Sequence, residues 1–190
     1  MMKAFKRIGC TVVLLLAMAL LTACSDGKTY YERAMENIPL PKGCSRWQYL
    51  PNDYDGDGEI EVFAFGGEED GDWKYLEVYY IDSQGNVKQV LSDSGLRGAP
   101  RGKKADFSDC YLTIGKNKYA AFDVGSVYGS CVYTMVLGVY NKKPIIDYMS
   151  GTPYEVTKEG YIMCSDISVD YIYEVRDGQF ELVEVITVPI

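Results

Sequence analysis

Along the chain, apolar and polar positions alternate in short bursts separated by turn residues, a pattern that predicts strands rather than helices. Residues 30–37 hold enough helix formers for two turns, which Pro39 and Pro41 stop. From there the pattern reads as strands at 47–50, 61–65, 75–81 and 87–91, with Ser83-Gln84-Gly85-Asn86 turning between the last two. At 61–65 polar and apolar residues alternate. Residues 92–106 are rich in Gly, Ser and basic side chains, include Pro100, and read as a long loop. A hairpin follows at 111–114 and 119–124 around the turn 115–118. Residues 125–130 are a tight glycine-bearing connection. A long strand at 131–140 then turns through 141–144 into 145–149. The last hairpin pairs 168–175 with 180–188 through Asp177-Gly178, whose dipeptide favours the left-handed turn of a two-residue hairpin. The fold class expected is all-β: antiparallel hairpins and meanders, incomplete propeller-like or sandwich-like, with one short N-terminal helix. Tyr79-Tyr80-Ile81 before Val87 and Val90 is loosely echoed by Tyr171-Ile172-Tyr173 before Phe180 and Leu182.

The first 23 residues break this pattern. Lys3, Lys6 and Arg7 precede an apolar run from Ile8 to Leu21, interrupted by Gly9 and Thr11. Charge followed by an apolar core is the order of an export signal. A helix of about 14 residues spans roughly 21 Å, short of the ~30 Å hydrocarbon core of a bilayer, which disfavours a permanent transmembrane helix. The run ends in Leu21-Thr22-Ala23-Cys24. This segment resembles the bacterial lipobox. The resemblance implies cleavage after Ala23, lipid attachment (diacylglycerol, with palmitate-type acyl chains) at the Cys24 sulfur, and a bacterial cell-envelope lipoprotein held on the membrane at its extracytoplasmic side. Residues 1–23 are then the signal peptide, 24–29 a lipidated tether, and 30–190 one β domain.

Composition narrows the function. The signal holds three of the 19 basic residues and none of the 27 acidic ones, so the remainder carries a formal charge of −11. That argues against nucleic acid and against a polybasic lipid contact as partners, and favours solubility and cations. The chain contains no histidine, which removes His-based triads, histidine general bases and the usual His-containing zinc sites. Its 17 tyrosines suit half-exposed sheet faces, or an aromatic surface for sugars or peptides. Cys10 leaves with the signal and Cys24 takes the lipid. Cys44, Cys110, Cys131 and Cys164 allow three disulfide pairings, or remain buried thiols; no CxxC pair is present.

One segment carries chemistry. Asp53-Tyr54-Asp55-Gly56-Asp57-Gly58-Glu59-Ile60-Glu61 places carboxylates at positions 1, 3, 5 and 9 of a curled loop, with glycine at position 6 for the bend. Calcium takes six to eight oxygens at ~2.3–2.6 Å, and this spacing offers them. An EF-hand requires a bidentate glutamate at position 12, where this chain has Ala64, and helices where this chain reads as strands. The segment, over residues 46–65, resembles instead the calcium loop between strands of integrin-like FG-GAP and related β-propeller repeats. That resemblance implies side-chain oxygens from Asp53, Asp55, Asp57 and Glu61 and a backbone carbonyl from Glu59, around a structural Ca2+. The chain departs from the family in carrying glutamate rather than aspartate at position 9 and in having a single such loop.

Two weaker segments read as structure: Glu68-Glu69-Asp70-Gly71-Asp72 as a solvated hairpin tip, and Gly125-Ser126-Val127-Tyr128-Gly129-Ser130 as a bend, its serine misplaced for a nucleophile elbow. The expectation is a membrane-tethered, non-catalytic, calcium-stabilised β module that binds a ligand or protein outside the cytoplasm. The rivals are a carboxylate-dependent extracytoplasmic hydrolase and a structural envelope protein.

Overall fold

The computed structural model describes residues 27–67, 76–93, 96–99, 111–126 and 132–187. The signal and lipobox, Cys110, Cys131 and the 68–72 acidic segment lie outside the described residues. The chain divides into two units, Met1–Arg33 and Ala34–Ile190. The helix α1 (Tyr30–Met35) begins at a capping box: the Glu32 amide donates to Thr29 Oγ1 at 3.3 Å, and the Thr29 amide donates back to the Glu32 carboxylate at 2.6 Å.

The rest is antiparallel sheet. Strands β1 (Arg46–Asn52), β2 (Glu61–Gly67), β3 (Leu76–Ile81) and β4 (Val87–Asp93) form one four-stranded meander. A second sheet holds β5 (Leu96–Ala99), β7 (Asn117–Ser126), β8 (Val132–Tyr140) and β9 (Lys143–Ser150), with β6 (Tyr111–Ile114) also pairing with β7. The third is the meander β10 (Thr152–Val156), β11 (Ile162–Asp166), β12 (Val169–Arg176) and β13 (Gln179–Thr187).

The three sheets stack with the second in the middle, because its strands are apolar on both faces. Ala120, Phe122 and Val124 of β7, with Met135, Leu137 and Val139 of β8, pack with Leu50, Phe63, Phe65, Val78 and Tyr80 of the first sheet. The alternate positions Tyr119, Ala121 and Val136 join Met149 and meet Ile162, Cys164, Tyr173 and Phe180 of the third. Continuous apolar runs such as β8 are what a strand covered on both sides requires. Phe65 meets Phe122 edge-on at 5.5 Å, and Tyr119 meets Phe180 edge-on at 5.1 Å, one aromatic contact in each core layer. Gly138 lets the Tyr119 ring lie against the β8 backbone: a Cβ there would sit 2.5 Å from the ring.

Four sequence expectations need correction. Residues 92–106 are not all loop, since Leu96–Ala99 pairs with Asp123–Ser126 of β7 as a strand. The polar–apolar alternation read at 61–65 does not appear in the burial: β2 is buried at every position, and a Cβ on Gly66 would fall within 3 Å of Pro41 and Cys44. The turn after β8 is two residues, Asn141-Lys142, so Lys143 and Pro144 already belong to β9. Strands β10 and β11 occupy a stretch to which the pattern assigns none. The Tyr-rich echo falls on the third and fourth strands of the outer two sheets, and both hairpins carry a register shift, between Val78/Tyr79 and between Ile172/Tyr173.

Candidate metal centre

Strand β1 delivers the chain into the acidic loop and β2 takes it away, with Asn52 paired to Glu61 across the neck. Tyr54 breaks the run of acids by turning inward. It is fully buried, donates its hydroxyl to the Leu50 carbonyl at 3.0 Å, and meets Phe63 edge-on at 5.0 Å. Its own carbonyl accepts the Lys118 amide of β7 at 2.9 Å, and Lys118 Nζ donates to Asn52 Oδ1 at 3.0 Å. The loop is therefore docked on the middle sheet as well as on its own hairpin. Gly56, at φ +68°, lies over the β6–β7 turn, where a Cβ would come 2.8 Å from the Lys116 carbonyl oxygen. Both the left-handed conformation and the close approach demand glycine there.

With the backbone fixed, the carboxylates fall into two groups. Oxygens of Asp53, Asp55 and Glu61 lie within 4.8 Å of one another. Asp53 accepts the Asp57 and Gly58 amides, each at 3.1 Å, and Asp55 accepts the Asp57 amide at 3.2 Å. Glu61 is only 5% exposed and accepts the Tyr54 amide at 3.1 Å. Burial pushes its carboxyl up to about 7; the Tyr54 amide opposes that rise, and the negative charges of Asp55, Asp57 and Asp53 add to it.

Asp57 and Glu59 take other partners. Asp57 caps the Glu59 amide at 2.9 Å and pairs with Lys142 Nζ at 3.5 Å. The Glu59 amide, and then Lys142, hold the Asp57 carboxyl below its ordinary value. The Glu59 carboxylate accepts the Ser83 hydroxyl of the β3–β4 turn. Asp57, Glu59 and Glu61 line one side of a cleft of about 120 Å³, which Tyr80, Asp82, Ser83, Gln84 and Lys142 complete. Asp82 is engaged in its own turn: its carboxylate accepts the Gln84 and Asn86 amides and the Asn86 side chain at 2.8–3.0 Å.

Of the four carboxylates expected to surround an ion, the structure thus gathers three and pairs Asp57 with Lys142 of the β8–β9 turn, while Glu59, expected to offer its carbonyl, sends its side chain to Ser83 of the β3–β4 turn. Lys142, Lys118 and Ser83 gave no sequence signal, because each reaches its partner from 24 or more residues away through tertiary packing. Comparison of the chain with protein-family models, with curated proteins and with solved structures gives no match. The functional reading accordingly rests on the loop itself.

Proposed function

We propose that loop 53–61 binds one structural calcium ion, through the carboxylates of Asp53, Asp55 and Glu61, in a non-catalytic β module tethered to the extracytoplasmic side of a bacterial membrane through Cys24. The observation that carries the calcium reading is the convergence of three carboxylate oxygens within 4.8 Å. Calcium takes six to eight oxygens in flexible geometry, whereas magnesium demands a tight octahedron and gives up its waters reluctantly, so a loop offering several carboxylates and a carbonyl suits calcium. Two unit charges 4.8 Å apart repel by roughly 3 kcal/mol at an effective dielectric of ~20. A divalent cation converts that repulsion into attraction. Asp57 and the Glu59 carbonyl complete the shell in this reading, with water filling what remains.

The lipid anchor is supported by the basic, apolar and Leu21-Thr22-Ala23-Cys24 order of the leader. The propeller-like reading is supported by the meander of four strands on each side of the stack and by the strand–loop–strand setting of the acidic loop. Among the described residues this cleft gives the hydrolase reading no support: of the carboxylates around it, only Asp82 comes from outside the loop, and its oxygens serve the β3–β4 turn.

Thermal unfolding of the purified chain in excess chelator and then in millimolar calcium tests the proposal. At 100 times the dissociation constant one site adds about 2.7 kcal/mol, roughly 5–10 °C for a domain of this size. Identical melting curves, with no heat of calcium binding by calorimetry, would reduce the loop to an acidic turn.

A further inference from the structure

Strand β13 is the last strand of the third sheet and pairs with β12 alone among the described residues. Its start is pinned: the Phe180 amide donates to Asp147 of β9 at 2.9 Å, and Phe180 is buried in the second core layer. From Glu181 to Thr187 every residue is exposed. These seven residues include Leu182, Val183, Val185 and Ile186, which are 51%, 52%, 53% and 39% exposed. Seven extended residues run for about 23 Å.

Edges of this kind are normally blunted with proline, lysine or brevity. The other outer strands are: β1 carries Pro51, β4 carries Lys88, β9 carries Lys143 and Pro144, β10 carries Pro153 beside a bulge, and β5 and β6 are only four residues long. Strand β13 has no proline and no basic residue. Its one irregularity, the shift opposite Ile172/Tyr173, leaves four further paired residues beyond it.

Register fixes the two faces of this edge. Leu182 stands opposite Tyr173 and Val185 opposite Tyr171, so both continue the apolar inner face. Glu181 stands opposite Glu174 and Glu184 opposite Ile172, on the outer face that Asp170 and Glu155 share. Arg176 bridges Glu174 and Glu181, at 2.7 and 3.4 Å, and is the one basic residue of that face on β12 and β13.

We propose that β13 is a docking edge for an extended, cationic segment of a partner protein, which adds as a further antiparallel or parallel strand with apolar side chains beside Leu182 and Val185 and basic ones beside Glu181 and Glu184. Main-chain hydrogen bonds supply affinity in this mode and the alternating side chains supply selectivity. A second copy is the poorer occupant: parallel in-register pairing of β13 with itself sets Glu181 and Glu184 against their own equivalents, and antiparallel pairing still joins two acidic edges that carry no basic residue. An anionic bilayer is wrong for the same reason of charge.

The test titrates the full chain with two labelled nine-residue peptides, one alternating valine with lysine and the other valine with glutamate, followed by fluorescence anisotropy and amide hydrogen exchange. The lysine peptide is expected to bind at least tenfold more tightly and to slow exchange in residues 181–187 while leaving β4 unchanged. Glu181→Lys together with Glu184→Lys should reverse the order of the two peptides, and exchange in β12 of that variant shows that the sheet is intact. Binding of neither peptide overturns the proposal. So does an unchanged preference after charge reversal, or a concentration-dependent dimer that protects β13 without any peptide.

Discussion

The amide of Tyr54 donates to the carboxylate of Glu61 seven residues later, so the residue that buries the loop also holds its most buried acid. In the metal-free protein this acid makes folding pH-dependent. Glu61 binds its proton more tightly when folded, its carboxyl being raised from 4.5 to about 7. The resulting stabilisation is complete below pH ~4.5 and is lost as pH rises through ~7, by at most roughly 3 kcal/mol at about 1.4 kcal/mol per unit. Denaturant unfolding in chelator across this range should show that slope in the native sequence and lose it in Glu61→Gln. Equal slopes in the two proteins would remove Glu61 as its source.

Calcium should invert that dependence, because the ion needs Glu61 ionised. Binding below pH 7 should release a proton, and affinity should fall as pH falls. Among the acids, Asp53→Ala and Glu61→Gln should abolish the calcium-induced rise in melting temperature, whereas Asp57→Ala should leave part of it, since Asp57 lies apart from the group of three. The comparison is the shift measured for each variant in calcium against chelator; a larger loss in Asp57→Ala than in Asp53→Ala would contradict the geometry.

On the proposed calcium reading, Lys142 would compete with the ion for Asp57. Its Nζ lies 3.5 Å from that carboxylate, and its backbone sits at φ +59°, a conformation that costs a residue with a Cβ ~1 kcal/mol. Lys142→Gly relieves the strain and forfeits an exposed ion pair of little value. The variant should be as stable as the parent or slightly more so in chelator, and should bind calcium severalfold more tightly by calorimetry. Weaker binding would show that the lysine does not oppose the ion.

Gly138→Ala tests how the two core layers are coupled. A methyl group there would lie 2.5 Å from the Tyr119 ring, which is itself packed against Phe180. Overpacking of this kind costs about 1–3 kcal/mol, or several degrees in melting temperature. A melting temperature within one degree of the parent, to take ~1 °C as the limit of significance, would mean that Tyr119 moves without penalty.

The anchor is tested by substituting its sulfur. Cys24→Ser should abolish fatty-acid labelling in cells and leave an unprocessed or released chain, whereas labelling that persists would rule out the lipobox reading.

Local features were legible in the sequence and non-local ones were not. Asp177-Gly178 and Ser83-Gln84-Gly85-Asn86 marked their hairpins because turn conformation is set by the turn residues themselves. The acidic loop was legible for the same reason: its spacing lies within nine residues, and its glycines carry the left-handed angles, φ +68° at Gly56 and +93° at Gly58. Strand β5 was missed because Leu-Arg-Gly-Ala has weak strand preference and extends only through pairing with β7. Strands β10 and β11 are short and polar enough to lack a pattern, being held by Val156, Ile162 and Cys164 against the middle sheet. The division of the five site residues into three and two depends on Lys142 and Ser83, which no local spacing could place.

The order of the strands has a kinetic consequence. In the first and third sheets each strand pairs with its neighbour in sequence, and in the second the longest step is from β5 to β7. Short loop closures cost little chain entropy, so each meander can zip from its own hairpins without waiting for distant segments. The middle sheet is apolar on both faces and gains its burial only when both neighbours are in place. A chain emerging from its N-terminus would thus complete the loop-bearing sheet first, and the slow step of refolding would be the docking of preformed meanders on β7 and β8.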